Sequence, residues 1–187
     1  MKSGDMMNIE TDRLILRPYH YEDYDRWYEG FSERYPSQYK YDVGKPKDLS
    51  RNTEDWFKQW INGFNEQAER DEMYVLGIFR KEDGANVGKV ELVTILRMDY
   101  DWAMMGYSIH NQYWKRGYGT ESVRAFTSAC FKELDFHRIE LHINPDNTPS
   151  VKLAQRSGFH LECKRESFKK ELGKWQDMLI FYQNRQD

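Results

Sequence analysis

The sequence predicts a single mixed α/β domain, built on a mostly antiparallel central sheet of about seven strands with helices on both faces. Three observations lead to that class. Seven short segments read as strands and four carry helical spacing. Three of the strand segments, between Met73 and Ile109, follow one another with only tight turns between them, which favours antiparallel pairing. A later unit, Trp102 to Ile143, runs strand, glycine-bearing loop, helix, strand, and that order favours a parallel pair joined by a right-handed crossover.

Taken in order, "RLILRPY" (Arg13 to Tyr19) alternates polar and apolar residues and stops at Pro18, as a short strand does. "YEDYDRWYEGF" puts acids in its first turn and Tyr24, Trp27, Tyr28 and Phe31 at helical spacing. "SERYPSQYKYDVGKPKD" has two prolines, a glycine and no period, and reads as a loop. Thr53 can cap a second helix, along which Trp56, Trp60 and Phe64 recur every four residues. "MYVLGIF", "DGAN" and "VGKVELVTIL" make a hairpin, and "WAMMGYSI" the strand after it. Val123, Phe126, Cys130 and Leu134 then share one helix face, with Arg124, Ser128 and Lys132 turned outward. "RIELHI" is a strand. "TPSVKLAQRSG" is a short helix with Thr148 as cap, Pro149 in the first turn and Gly158 just past the end. "FHLECKRESF" and "WQDMLIFYQ" close the chain as two more strands. The domain is expected to span residues 9–184, with 1–8 a poorly ordered N-terminal extension.

The chain has 187 residues, enough to bury a core without covalent staples. A formal net charge of -3 gives no general pull toward nucleic acid or a membrane. No apolar stretch is long enough for a signal peptide or a membrane span. With Cys130 and Cys163 as its two cysteines, the chain is expected in a reducing cytoplasm. The histidines form no metal-binding pattern, so no metal is expected. Whether the chain self-associates is left open.

The segment with the clearest chemistry is "YWKRGYGTESVRAF", in which Lys115, Arg116, Gly117 and Gly119 stand at the threshold of a helix. The first backbone N–H groups of a helix lack partners and face an incoming anion, aided by the helix dipole. Glycine lets the backbone approach the anion or take positive φ. On the residues alone, the loop is either a phosphate cradle or a plain strand-to-helix turn. A P-loop is excluded because no Gly-Lys-Ser/Thr follows. A dinucleotide fingerprint fits only in part, since Ser122 stands at its third position.

Together, "ETDRLILRPYHYEDYD", "GYSIHNQYWKRGYGTESVRAF" and "HRIELHINPDNTPSVKLAQRSGF" resemble the GNAT superfamily of N-acetyltransferases, and within it the Rim-type group that acetylates ribosomal protein N-termini. The resemblance covers nearly the whole chain in order. It implies a GNAT-like fold, acetyl-CoA as the acetyl donor, and a pyrophosphate loop on Trp114, Lys115, Arg116, Gly117, Tyr118, Gly119 and Thr120. It also implies that the backbone of Ser108 and Ile109 pairs with the pantetheine arm, that Asn147 orients that arm, and that Ser150 lies near the thioester sulfur. Trp114 stands where the pattern usually has Gln or Arg.

Acetyl transfer from a thioester needs a neutral amine, a polarised carbonyl and a leaving thiolate. An α-amine titrates at about 7.7–8.0 and a lysine side chain at about 10.4, so the former needs the weaker base. Ser150 is assigned to the departing sulfur and a backbone N–H near Ile109 to the carbonyl oxygen. Two departures from the family stand out. A common tyrosine acid is replaced by Ala154, and a common glutamate by Met104. Glu91 is the leading replacement base, ahead of His110, Asp99 and Asp101. Cys130 and Cys163 are read as packing residues.

Tyr19, Tyr21, Tyr24, Tyr28, Tyr35, Tyr39 and Tyr41 cluster in the first third of the chain. By the resemblance, this region walls the acceptor cleft, where tyrosines could hold an amine cation and Glu33 or Asp42 could steer it. Trp27, Trp56 and Trp60 are expected to pack helices on the sheet. The expected activity is direct acetylation of a primary amine, a protein or peptide N-terminal α-amine in particular. The alternatives are a small-amine acetyltransferase of polyamine or aminoglycoside type, a catalytically weak acyl-CoA-binding module, and a Rossmann-like dinucleotide protein.

Overall fold

Alternation decides which side of the sheet each strand residue meets. A computed structural model describes residues 7–186. Its strands are β1 (Ile9–Glu10), β2 (Leu14–Arg17), β3 (Met73–Arg80), β4 (Asn86–Leu96), β5 (Trp102–Ile109), β6 (Arg138–Ile143), β7 (His160–Glu171) and β8 (Lys174–Asn184). They form one eight-stranded sheet in the order β1-β2-β3-β4-β5-β6-β8-β7. Every neighbouring pair is antiparallel except β5 and β6. The two-residue β1 is the strand the sequence did not disclose, because so short a segment carries no period. Of the expected N-terminal extension, residues 1–6 lie outside the described residues, and Met7 is buried in the core.

Four helices cover the sheet: α1 (Tyr24–Ser32), α2 (Glu54–Glu69), α3 (Tyr118–Glu133) and α4 (Thr148–Arg156). On one face, Leu14, Leu16, Leu76, Ile78, Val90 and Leu92 meet Val123, Phe126 and Cys130 of α3 in a single buried cluster. Each fully buried leucine contributes about 2 kcal/mol by leaving water. On the other face, Tyr19, Val75 and Phe79 pack against Trp27 of α1 and Phe57 and Ile61 of α2. Trp27 lies 5.3 Å from Trp56, 5.4 Å from Phe57 and 6.0 Å from Trp60, ring to ring. The three tryptophans therefore join the helices to the sheet, as expected.

Thr53 caps α2 by accepting the Trp56 backbone N–H. The cap of α4, however, is Asn147 and not Thr148. The Asn147 side chain accepts the Ser150 N–H, and Thr148 and Pro149 become the first two helical residues. Asn is as good a cap as Thr, and the fixed φ of proline suits the first turn in either register.

The feature that makes a site is a fork. β5 pairs with β4 along its whole length, from Trp102 to Ile109. It pairs with β6 only at Trp102, Ala103 and Met104, opposite Arg138, Ile139 and Glu140. Beyond Met104 the two parallel strands part, while β6 stays on β8 as far as Ile143. The loop into α3 leaves one prong and the loop into α4 leaves the other.

Candidate active site

Inside the fork, the backbone of β5 presents polar groups with no strand among the described residues to pair them. The His110 N–H donates to the Val87 carbonyl, and the Ser108 carbonyl lies against Gly88, so both face β4. By alternation, the backbone groups of Tyr107 and Ile109 face the fork. Of the two residues expected to pair with a pantetheine arm, Ile109 is turned the right way and Ser108 is turned away. The Trp114 indole N–H donates to the Ile109 carbonyl at 2.8 Å, which leaves the Ile109 N–H on that prong. Trp114 thus anchors the loop to the strand end.

The glycine loop rises from this anchor. Lys115 and Gly117 both have positive φ, 62° and 80°, and Gly117 caps α3 with no side-chain hydrogen bond. Lys115, Arg116 and Gly117 are exposed. Gly119 serves close approach: a Cβ there would come within 2.6 Å of Leu153 Cδ1 on α4. Arg13, just before β2, braces the loop, donating to the Arg116 carbonyl at 2.8 Å and to Glu121 Oε2 at 2.8 Å. Burial pushes the Glu121 carboxyl up, but hydrogen bonds from Thr11 and Arg13 outweigh it and hold it below the usual carboxylate range. Tyr118 is buried at 6% exposure under the Arg13 guanidinium, so its side chain is withdrawn from any ligand and only its backbone N–H remains. Thr120 is half-buried and lines a shallow hollow with Asp12, Gly117, Glu121 and Arg124.

The other prong carries side-chain chemistry. Asn147 Oδ1 accepts the Ser150 N–H at 3.5 Å and the Tyr39 O–H at 3.2 Å. The Ser150 hydroxyl lies 2.8 Å from the Tyr107 hydroxyl. Burial is the main cause that pushes the Tyr107 phenol up to about 12, so it stays protonated throughout the working range. Tyr107 is the residue that sequence reasoning missed, although it lies in the quoted "GYSI". The available signal was alternation, which puts Tyr107 on the α3 side with Ala103 and Met105, where a half-buried phenol needs a partner.

The proposed acids and bases sort themselves by surroundings. Glu91 sits mid-strand on β4, its carboxylate over Gly106, in an ion pair with Lys89. It belongs to the α1 side of the sheet and Ser150 to the α3 side, so the two reach a common atom only through the fork. His110 is excluded as a base. Its ring is 2% exposed, Nδ1 accepts from Arg34 Nε at 2.8 Å, and Nε2 faces Asn86 Oδ1 at 3.4 Å. Burial, with the Arg34 charge adding to it, pushes this imidazole down to about 3, and its lone pair is occupied. Asp101 accepts from Arg97 in the turn before β5. That turn, with Asp99, lies a full strand length from Ile109, about 23 Å at 3.3 Å per residue. Ala154 is fully buried in the core, and Met104 sits at the closed end of the fork.

Between the prongs lies the loop from Glu33 to Asn52. Its Tyr39 ring packs against Trp114 at 5.9 Å while its hydroxyl reaches Asn147, so one residue touches both prongs. Lys40 pairs with Asp146 at 2.8 Å. Of the seven tyrosines expected on this wall, Tyr39 and Tyr41 contact it. Tyr19 is core, Tyr21 and Tyr24 are tied to Asn62 and the Asn52 carbonyl, and Tyr28 and Tyr35 are exposed. Asp42 is committed to the loop, accepting from the Gln38 and Gly44 N–H groups and from Asn111 Nδ2, so it is not a free steering charge. Asn111, 4% exposed, holds this loop by the Tyr35 N–H and carbonyl.

Known proteins resemble this chain over most of its length. The family of acetyltransferase (GNAT) domains matches residues 13–160. Over 117 residues the chain is 35% identical to YjcK of Bacillus subtilis, named a probable N-acetyltransferase, a match spanning 63% of this chain and 65% of that one. It is 22% identical over 175 residues to the ribosomal protein uS5-alanine N-acetyltransferase of Escherichia coli, covering 93% and 89% of the two. RimJ of Mycobacterium smegmatis, solved in complex with CoA-disulfide, superposes with a TM-score of 0.74 at 20% identity, over 96% of this chain and 86% of that one. The ribosomal-protein-S5-alanine acetyltransferase of Vibrio fischeri gives 0.75 at 19% identity, over 97% and 98%. With the family match spanning most of the sheet and both prongs, the chain belongs to the GNAT family of acetyltransferases.

Proposed function

We propose that this acetyltransferase moves an acetyl group from acetyl-CoA directly to a primary amine, the α-amine of a protein or peptide N-terminus in particular, in the cytoplasm. The observation that carries the reading is the fork between β5 and β6, with unpaired backbone on one prong and the Ser150 hydroxyl on the other. The pyrophosphate would meet the first N–H groups of α3, after Gly117, with Lys115 and Arg116 adding charge. The pantetheine arm would lie along Tyr107 and Ile109, held from the other side by Asn147. The amine attacks the thioester carbonyl, whose oxygen meets a backbone N–H of β5 near Ile109. The carbon–sulfur bond then breaks, and Ser150 hydrogen-bonds the departing thiolate, which ends as the thiol.

An α-amine suits a site where the histidine at the end of β5, His110, is neutral and already engaged. Part of such an amine is unprotonated near neutrality, so Glu91 or solvent suffices as proton acceptor. The relative named a ribosomal protein uS5-alanine N-acetyltransferase supports a protein acceptor. Calorimetric titration with acetyl-CoA, with NADH as control, tests the donor. A screen of N-terminal peptides against small amines tests the acceptor. Turnover confined to small amines would remove the peptide reading, and NADH binding without acetyl-CoA binding would remove the activity.

A further inference from the structure

Ser150 Oγ has one proton and, among the described residues, one protein partner, the Tyr107 hydroxyl at 2.8 Å. The same phenol can also donate to the Ser150 carbonyl, at 3.3 Å, so its one proton has two acceptors on Ser150, and the shorter contact favours Oγ. Asn147 Oδ1 is already taken by the Ser150 N–H and the Tyr39 hydroxyl. A serine hydroxyl in the first turn of a helix, left alone, turns to a nearby backbone carbonyl or to water. A phenol that donates to Oγ removes that choice. The serine proton is then free to point outward, and hydrogen bonds in such a chain strengthen one another.

We propose that Tyr107 is a positioning residue for Ser150: its phenolic proton is donated to Ser150 Oγ and so directs the serine proton at the departing sulfur. Tyr107 keeps its proton throughout and touches neither the amine nor the carbonyl. The position suits the role, because the backbone of Tyr107 lines the fork while its side chain crosses to α4. The inference rests on the acetyl-transfer reading above and adds to it a dependence of Ser150 on the central strand.

The test is a double-mutant cycle on the full chain, with Tyr107→Phe, Ser150→Ala and the pair, following thiol release from acetyl-CoA with an amine the parent protein accepts. Tyr107→Phe is expected to lower kcat about 10-fold, the scale of one hydrogen bond, with KM for acetyl-CoA within about twofold. The double variant is expected to be no slower than Ser150→Ala, and Ser150→Thr, which keeps the hydroxyl, to retain the response to Tyr107→Phe. Circular dichroism checks that each variant folds. Additive losses, an unchanged kcat, or a rise in KM alone overturns the role of Tyr107. A parent protein that binds acetyl-CoA yet releases no thiol with any amine overturns the acetyl-transfer reading instead.

Discussion

The N-termini of α3 and α4 face the same fork and are built in opposite ways. At α3 the cap is Gly117, in the left-handed region at φ 80°, and no side chain folds back on the helix. At α4 the cap is Asn147, whose side chain accepts the Ser150 N–H. An open end keeps its N–H groups and the positive end of its dipole for a ligand, whereas a capped end has spent them internally. The α3 prong therefore suits an anion, and the α4 prong suits the placement of a hydroxyl. Their braces differ too. Arg13 and Glu121 hold the α3 loop by an ion pair of 2.5 Å, and Tyr39 and Lys40 hold the α4 end from the acceptor loop.

This contrast can be broken from either side. The largest effect is expected from Gly117→Asp, which puts a carboxylate where the open end would receive a pyrophosphate. Like charges about 4 Å apart repel by about 4 kcal/mol at a surface-like dielectric, so affinity for acetyl-CoA should fall by at least about 100-fold. Calorimetry reads the loss, and an unchanged affinity would mean the α3 end is not the anion site. Arg13→Ala removes the brace and should weaken acetyl-CoA binding about 5-fold, with less effect on a truncated pantetheine thioester that lacks the pyrophosphate.

Asn147→Ala uncaps α4 and should cost about 1 kcal/mol of stability in denaturant unfolding. A pH series sharpens the comparison further. Because the Glu121 carboxyl is held below its usual range in the folded chain, its contribution is present above the unfolded carboxylate value of about 4.3 and is lost as pH falls through the folded one. Glu121→Gln should therefore be less stable than the parent at pH 7 and lose less between pH 5 and 3, as read by thermal melts. The smallest effect belongs to Lys40→Ala, whose solvent-exposed pair with Asp146 should leave the melting temperature unchanged.

Much of this was legible in the chain. The strands at Trp102–Ile109 and Arg138–Ile143 run between the residues the alternation marks. The face of α3 formed by Val123, Phe126 and Cys130 is buried as its spacing requires. The glycine loop announced itself as a place where backbone matters more than side chains. What misled was local plausibility. Thr148 looks like a cap until Asn147 is seen to do it, and His110 looks like a strand-end base until Arg34 and Phe31 close around it. Asp42 looks like a free charge until Asn111 claims it.

By itself the sequence determined the order and type of every strand and α-helix but the two-residue β1, the two-sided core and the loop able to meet an anion, because periodicity and backbone freedom are local properties. Only the tertiary structure decided that β5 and β6 part after Met104, that Ser108 faces β4 while Tyr107 and Ile109 face the fork, and that Tyr107 meets Ser150 across 43 positions of chain. Those facts depend on register and on which partner fills each hydrogen bond, and both are settled when distant segments pack.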